Sequence, residues 1–379
     1  MRILVSGGGT AGHINPALAI ADKIKSENAN TIIEYVGTPG GMENVLVTKA
    51  GYKIHHVAVK GFKRKLSIDN IDAAVKAVTS VLKAKKIIKD FKPDIVIGTG
   101  GYVSWPVLSA AAKMGVPTLI HEQNAVPGVT TKMLSKLVDK VMISFESSRE
   151  FFTCDSGKLI FTGNPVSEKM LNTDKKRARQ ELGIPEDKIV IVSAGGSLGA
   201  KMLNEAVFEL ISEYSVRDDN IYHFHATGKG GFDEQSKLYK NIGFESVDED
   251  TLKKGNVTVK KYIYNMNVLL AAADVVVCRA GAMTLSEIAA MGKAAVIIPS
   301  PNVTNNHQYK NAKVLADKDA ACLIEEKNLS GKILTEKVCE YAENKEIRHA
   351  TEKNIEQFAV YDTLDRIYAI VKELVKAGK

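Results

Sequence analysis

No stretch of this 379-residue sequence approaches the ~20 consecutive apolar residues that cross a bilayer, so no membrane-spanning helix is expected. Strand-like sequence begins at the second residue, so no secretory leader is expected either. Cysteine is scarce and scattered: Cys154, Cys278, Cys322 and Cys339 form no C-x-x-C pair, which argues against a zinc site or a disulfide framework and for four reduced thiols in a cytoplasmic protein. Tryptophan occurs once, at Trp105, where core packing and anchoring at an interface are both open. No D-x-D motif is set between hydrophobic strand residues, and Asp218-Asp219 reads as polar loop. What remains, 45% hydrophobic and 25% charged residues, describes an ordinary globular chain long enough for two cores.

The net charge of +7 is unevenly spread. Between Lys60 and Lys92, ten basic residues (Lys60, Lys63, Arg64, Lys65, Lys76, Lys83, Lys85, Lys86, Lys89 and Lys92) face three acids, Asp69, Asp72 and Asp90. The rest of the chain is close to neutral. Such a stripe suits a polyanion or an anionic membrane surface. Ile68, Ile71, Val75, Val78 and Leu82 repeat within it at helical spacing, so one apolar face with a lysine rim is expected, turned either to its own domain or to a bilayer surface.

The N-terminus reads ILVSGGGTAGHINPALAIADKI (3–24). An apolar strand runs into Gly7, Gly8 and Gly9, and helical spacing follows Pro16 through Leu18, Ile20, Ala21 and Ile24. Free N–H groups and the positive helix end converge after such a turn, making an anion site. The pattern recurs 187 positions later in KIVIVSAGGSLGAKMLNEAV, with Ser6 falling on Ser193, Gly8 on Gly195, Gly9 on Gly196, Thr10 on Ser197 and Gly12 on Gly199. Two such starts predict two α/β domains in tandem. Segments 31–37, 93–101, 117–124 and 140–145 read as buried strands of the first, and 221–228, 274–281 and 294–301 of the second. GNPVSEKM near Gly163 reads as the connection. The amphipathic end, from Glu356, is expected to return to the first domain, giving residues 1–164 plus 357–379 and 165–356.

Gly7, Gly9 and Gly12 satisfy G-x-G-x-x-G, yet the second strand ends Tyr35-Val36-Gly37-Thr38 without the acid that a dinucleotide ribose needs, Glu34 lying inside it. The better acid is in DVVVCRAGAMTLSEIAAMG, where Gly281 permits a turn and Ala282, Met283 and Thr284 begin a helix. There Glu287 can accept from both hydroxyls of a ribose while the helix end receives a phosphate; it also fits as an acid near a helix N-terminus. His223 and His225 alternate on one strand, as a metal pair or as core histidines.

GGTAGH (8–13), GTGGYVS (98–104), HEQN (121–124), GNPV (163–166), GGSLGA (195–200), CRAGAMTLSEIAAMG (278–292) and HQYKNA (307–312) occur in one order along the whole chain. On these stretches the sequence closely resembles the MurG family of peptidoglycan N-acetylglucosaminyltransferases (glycosyltransferase family 28). The resemblance implies a GT-B fold, two Rossmann-like domains with parallel sheets facing a cleft. It implies inverting transfer from UDP-N-acetylglucosamine to the 4-hydroxyl of the muramyl sugar of lipid I, giving lipid II at the cytoplasmic membrane face. Carried onto matching positions, it places Thr10, Ala11 and Gly12 at the donor diphosphate and sugar, Asn124 on the N-acetylglucosamine and Ser197 on the phosphate. Ile263 would read the uracil by its backbone, Ala282, Met283 and Thr284 would meet phosphates and nucleoside, Glu287 the ribose, and His307 and Gln308 the sugar hydroxyls. Many members carry Arg where this chain has Ser167, so a diphosphate contact there is weakened and Arg279 or Lys201 becomes the substitute cation. No cofactor, catalytic metal or nucleic acid is implied; an anionic membrane surface and other cell-wall enzymes are the expected partners. His13 is the expected general base, because imidazole ordinarily titrates near neutrality; a carbonyl or phosphate partner is its other reading, and Glu122 is the reserve base. The alternatives are another GT-B UDP-sugar glycosyltransferase, a UDP-sugar epimerase, an NAD(P)-binding oxidoreductase or a nucleotide sensor.

Overall fold

A computed structural model describes residues 1–59 and 68–378, and of residues 68–78 the helical backbone alone. Lys60, Lys63, Arg64 and Lys65, and the side chains of Ile68, Ile71, Val75, Lys76 and Val78, lie outside the described residues. Two compact units divide the chain, Met1–Val166 with Asp362–Lys379, and Ser167–Tyr361. Residues 357–361, expected with the first unit, lie with the second. They continue the helix Lys345–Glu356, and the N–H groups of Phe358 and Ala359 bond back to the carbonyls of Ile355 and Glu356.

The first unit is a seven-stranded sheet of β1 (Arg2–Ser6), β2 (Ile32–Gly37), β3 (Lys53–His56), β4 (Ile95–Gly98), β5 (Thr118–Glu122), β6 (Lys140–Ile143) and β7 (Leu159–Phe161). Their order is β3-β2-β1-β4-β5-β6-β7, every pair parallel. Parallel strands covered on both faces must be apolar throughout, and β4 and β5 are buried along their whole length. One face is covered by the helices Ala11–Glu27 and Thr363–Ala377. The C-terminal helix returns to this unit through Leu364, Ile367, Ile370, Val371 and Val375, and each such side chain fully buried contributes roughly 1.5–3 kcal/mol. The other face is covered by the helices Ile68–Phe91 and Ser104–Lys113, and Trp105 packs against this core half-buried. On the helix Ile68–Phe91, Ala84, Ile87, Ile88 and Phe91 face inward. Leu82 is 61% exposed, beside the exposed Lys83, Lys85, Lys86 and Lys89.

The first helix begins at Ala11, six residues before the expected start, and holds Pro16 inside it. Pro16 is the sixth residue of this helix and donates no N–H to the Gly12 carbonyl.

The second sheet comprises β8 (Ile189–Ala194), β9 (Ile221–Ala226), β10 (Glu245–Asp248), β11 (Thr251–Lys254), β12 (Val257–Lys260), β13 (Val275–Cys278), β14 (Ala294–Ile297) and β15 (Cys322–Leu323), in the order β10-β11-β12-β9-β8-β13-β14-β15. Antiparallel pairing is confined to β10–β11 and β11–β12. The triplet Asp248-Glu249-Asp250 is a D-x-D after all, and it closes this exposed edge hairpin. Asp248 accepts from the N–H of Asp250, and Asp250 pairs with Lys261 at 3.0 Å. Below the sheet, Asp274 accepts from Arg179, Lys175 (2.6 Å) and the N–H of Val190 (2.8 Å). Burial alone would raise its carboxyl, but these partners hold it below the usual range.

Strand order reverses between β1 and β4 in one sheet and between β8 and β13 in the other. Loops leaving the strand C-termini diverge at such points and open a ligand crevice. Both glycine turns read from the sequence stand there.

Candidate functional site

In the first unit the turn after β1 packs closely against the turn after β4. A Cβ on Gly101, whose φ is +80°, would lie 2.3 Å from the Gly8 carbonyl oxygen, and one on Gly7 would lie 2.2 Å from Thr99 Oγ1. Beside them is a cavity of about 370 Å³ lined by Gly8, Gly9, Thr38, Pro39, Ala58, Val59, Tyr102 and Val103. Glu43 is buried behind the turn, accepting from Thr38 N–H (2.8 Å), Thr38 Oγ1 (2.6 Å) and Gly9 N–H (3.4 Å). Burial would raise its carboxyl; the Thr38 bonds outweigh that and hold it low. Thr10 is the N-cap of the helix Ala11–Glu27 in extended conformation, makes no side-chain cap, and is followed by no acid in the first turn. The first-turn N–H groups of Ala11 and Gly12 are thus left for an anion.

His13 is the third residue of that helix. Its Nδ1 is 3.1 Å from Gln123 Oε1. Gln123 Nε2 is 2.9 Å from Nδ1 of the buried His121, and His121 Nε2 is 2.9 Å from the Gly163 carbonyl. Burial pushes His121 down to about 4, so it is neutral at pH 7. Glu122 and Asn124, the neighbours of Gln123, form a different unit. The Glu122 carboxylate is buried and accepts from Asn124 N–H and Nδ2 and from Gly128 N–H, all at 3.0 Å. With both oxygens occupied it holds its own loop, which favours His13 over Glu122 as the base.

In the second unit the expected residues sit on one edge, because parallel β12, β9, β8, β13 and β14 all end there. Ser197 lies in the turn after β8. This turn is locked to the one after β9: Lys229 N–H bonds the Ser197 carbonyl at 3.1 Å, Gly230 N–H bonds the Leu198 carbonyl at 3.2 Å, and a Cβ on Gly199 would meet the Thr227 oxygen at 2.4 Å. Ile263 follows β12, buried, and its N–H and C=O form no hydrogen bond among the described residues. Ala282, Met283 and Thr284 open the helix Ala282–Ala290, whose N-cap, Gly281, has no side-chain cap; the helix Lys201–Leu210 also begins uncapped, at Ala200. Four helices elsewhere in this unit are capped, by Ser167, Asp174, Ser330 and Asn344. The Glu287 carboxyl has no hydrogen-bond partner among the described residues, and burial pushes it up to about 7. Gln308 Oε1 accepts from Ser300 N–H at 2.8 Å, and His307 Nδ1 bonds the Thr304 carbonyl at 2.9 Å.

One expectation changes. Arg279 is no free cation: it pairs with Glu326 and donates to the carbonyls of Ile298 and Pro299. Lys201 is exposed, 3.9 Å from Glu205 and Glu234. Ser167 Oγ accepts from Met170 N–H at 3.3 Å as the N-cap of Glu168–Leu171. His223 and His225 are core histidines bridged by Ser193 Oγ at 2.8 Å each, with Ser215 on the far side of His223; desolvation lowers both. Glu43, His121 and Gln123 were not foreseen. For the last two the signal was present, since alternate residues of a strand share a face.

The chain matches the models of the glycosyltransferase family 28 N-terminal domain over residues 3–143 and the glycosyltransferase family 28 C-terminal domain over residues 190–367. It is 45% identical over 376 residues, 99% of each chain, to the UDP-N-acetylglucosamine--N-acetylmuramyl-(pentapeptide) pyrophosphoryl-undecaprenol N-acetylglucosamine transferase of Acetivibrio thermocellus. The crystal structure of Acinetobacter baumannii MurG superposes with a TM-score of 0.75 at 28% identity, covering 98% of this chain and 99% of that one. A putative UDP-N-acetylglucosamine 2-epimerase from Listeria monocytogenes superposes with a TM-score of 0.69 over 99% of this chain and 97% of that one. At 14% identity that likeness concerns the fold alone.

Proposed function

Since the chain belongs to glycosyltransferase family 28, we propose that it transfers N-acetylglucosamine from UDP-N-acetylglucosamine to the 4-hydroxyl of undecaprenyl-diphospho-N-acetylmuramoyl-pentapeptide. The observation that carries this reading is full-length 45% identity to a transferase of that name. In the inverting step the acceptor oxygen bonds to the anomeric carbon as the bond to UDP breaks. His13 takes the hydroxyl proton, and the electron pair leaves on the diphosphate. The first unit supplies base and acceptor cavity. The second holds the nucleotide, with Ile263 backbone groups for uracil, Glu287 for the ribose, Ser197 and the uncapped helix starts for phosphate, and His307 and Gln308 for the sugar. Growing charge on the leaving diphosphate is met by backbone dipoles. Thr10, Ala11, Gly12 and Asn124 complete the donor contacts.

The acceptor is a lipid, and the exposed Leu82 among Lys83, Lys85, Lys86 and Lys89 supports a peripheral seat on an anionic membrane face. No helix among the described residues is long and apolar enough to cross a membrane. The deciding assay measures UDP release from UDP-N-acetylglucosamine with and without a lipid I analogue. Acceptor-dependent release with formation of the disaccharide is expected. Release without acceptor, together with a 2-epimerised sugar, makes the protein an epimerase.

A further inference from the structure

The chain of contacts behind His13 ends on an atom that can only accept a hydrogen bond, and this fixes every proton along it. His121 Nε2 faces the Gly163 carbonyl at 2.9 Å and the Ser144 hydroxyl at 3.3 Å; the carbonyl can only accept, so Nε2 carries the hydrogen, and Nδ1 of the neutral ring is a lone pair. The Gln123 group 2.9 Å from that lone pair must therefore be the NH2, whose second hydrogen reaches the His121 carbonyl at 3.1 Å. Gln123 is held from its backbone too, its carbonyl accepting from Asn164 Nδ2 at 3.1 Å. Its Oε1 is then directed at His13 Nδ1, 3.1 Å away, which must donate. The His13 ring is held against Gly100, where a Cβ would lie 2.8 Å from Nδ1, and the Thr99 hydroxyl anchors the His13 carbonyl at 2.7 Å. No charged side chain is bonded to the imidazole among the described residues.

We propose that Gln123 and His121 are positioning residues that hold His13 as its Nδ1–H tautomer, so that the Nε2 lone pair is the one presented to the acceptor hydroxyl. This rests on the reading of His13 as base. A free imidazole favours the opposite tautomer, with hydrogen on Nε2, which has no lone pair there to receive a proton. The relay inverts that preference, and it does so with an amide. A carboxylate in the same place would also orient the ring but would stabilise the imidazolium. The amide orients the ring without adding charge.

The test joins a spectroscopic and a kinetic arm. In the unmodified protein, 15N spectra of the imidazoles at pH 8, with the His13 signals assigned by their loss in His13→Ala, should show a protonated Nδ1 and a bare Nε2. An Nε2–H tautomer for His13 overturns the proposal whether or not His13 is the base. Gln123→Met keeps the volume and removes the relay. It should lower kcat by roughly 10- to 100-fold, less than the ~10²–10⁴ carried by the base itself, with the KM for UDP-N-acetylglucosamine within twofold and a mixture of tautomers in the spectrum. Gln123→Glu, which restores an acceptor for Nδ1–H, should recover part of kcat and move the acid limb of the pH–rate profile to higher pH. A Gln123→Met protein with unchanged kcat, pH profile and His13 tautomer sinks the positioning role. Loss of tautomer control in that variant with full activity would instead show that His13 is not the base. Should Gln123→Met not fold, the spectrum of the unmodified protein still decides.

Discussion

The two glycine turns share sequence and place, yet they leave different chemistry exposed. After β1 the turn is four residues, Gly7–Thr10, and the helix starts at once, so that a titratable ring, His13, lies in its first turn. After β8 it is six residues, Gly195–Ala200, and the helix waits for Lys201. The extra length carries Leu198 out to 71% exposure and leaves backbone groups, not a side chain, facing the edge of the sheet. Beneath the first turn a buried carboxylate, Glu43, and the amide relay hold polar groups in defined states. Beneath the second, Ser193, His223 and Ser215 bond to one another within the core. One repeated scaffold thus brings an imidazole into the first turn of one helix and leaves backbone groups alone at the other, by the length of a loop.

The largest expected effect breaks the first half of that comparison. His13→Ala should lower kcat by roughly 10²–10⁴ while UDP-N-acetylglucosamine affinity stays within a few-fold, and the acid limb of the pH–rate profile should vanish. If donor affinity collapses while the pH profile survives, His13 binds a phosphate and the division of labour is wrong.

Glu287 tests the second half. A carboxylate accepting from two ribose hydroxyls is worth roughly 1.5–3 kcal/mol, so Glu287→Gln should weaken UDP at least tenfold by calorimetry at pH 8. Its folded carboxyl titrates at about 7, above the ordinary value of 4.5, because burial disfavours the charge. The unfolded chain therefore releases this proton at lower pH than the folded one. The associated stability is present below about pH 4.5 and is lost as pH rises through 7. Removing the charge should accordingly raise the Tm of the unliganded protein at pH 8 by roughly 2–4 °C and leave it unchanged at pH 4.5. Weaker UDP with a higher Tm is a signature that a merely structural acid would not give.

Much of this was readable in advance because parallel strands under two helical layers are short buried runs, and in β1, β2, β4 and β8 the run ends directly at glycine. The hairpin strands β10 and β11 (ESVD and TLKK) lack that form: they lie at the sheet's edge, and pairing of β10 with β11 and of β11 with β12 makes them strands. Pro16 read as a helix boundary, whereas it lies inside the first helix. Long-range partners were the other limit. Nothing near Arg279 announces that Glu326, far along the chain, will neutralise it. HEQN drew attention to its acid and its asparagine, whereas the geometry ties those to their own loop and places Gln123 and His121 behind His13.

A matched pair of alanines sharpens the comparison at the turns themselves. Gly101→Ala and Gly199→Ala each place a Cβ within 2.4 Å of a backbone oxygen at positive φ, which costs about 1–3 kcal/mol of stability. Their ligand effects should diverge. Gly101→Ala disturbs the Gly8 backbone beside the 370 Å³ cavity and should raise the acceptor KM with UDP affinity kept. Gly199→Ala spreads the turns after β8 and β9 and should weaken UDP with the acceptor KM kept. Identical ligand profiles for the two variants would mean that the turns do not divide the substrates.

The smallest effect is expected at Ser167, where a side-chain phosphate contact in the second unit would contradict the assignment of that task to backbone. Ser167 Oγ accepts from Met170 N–H at 3.3 Å and caps a helix of four residues. Losing a cap typically costs ~1 kcal/mol, and so short a helix places this one at the lower end. A direct hydrogen bond to an ionised diphosphate would instead be worth roughly 1.5–3 kcal/mol, or tenfold and more in affinity. The two roles therefore separate cleanly. Ser167→Ala should lower Tm by a degree or two and leave UDP and UDP-N-acetylglucosamine affinity within twofold. Ser167→Asp, which keeps a capping oxygen and brings a negative charge, should restore the Tm. It should also leave affinity unchanged if no phosphate lies near, and reduce it severalfold if one does.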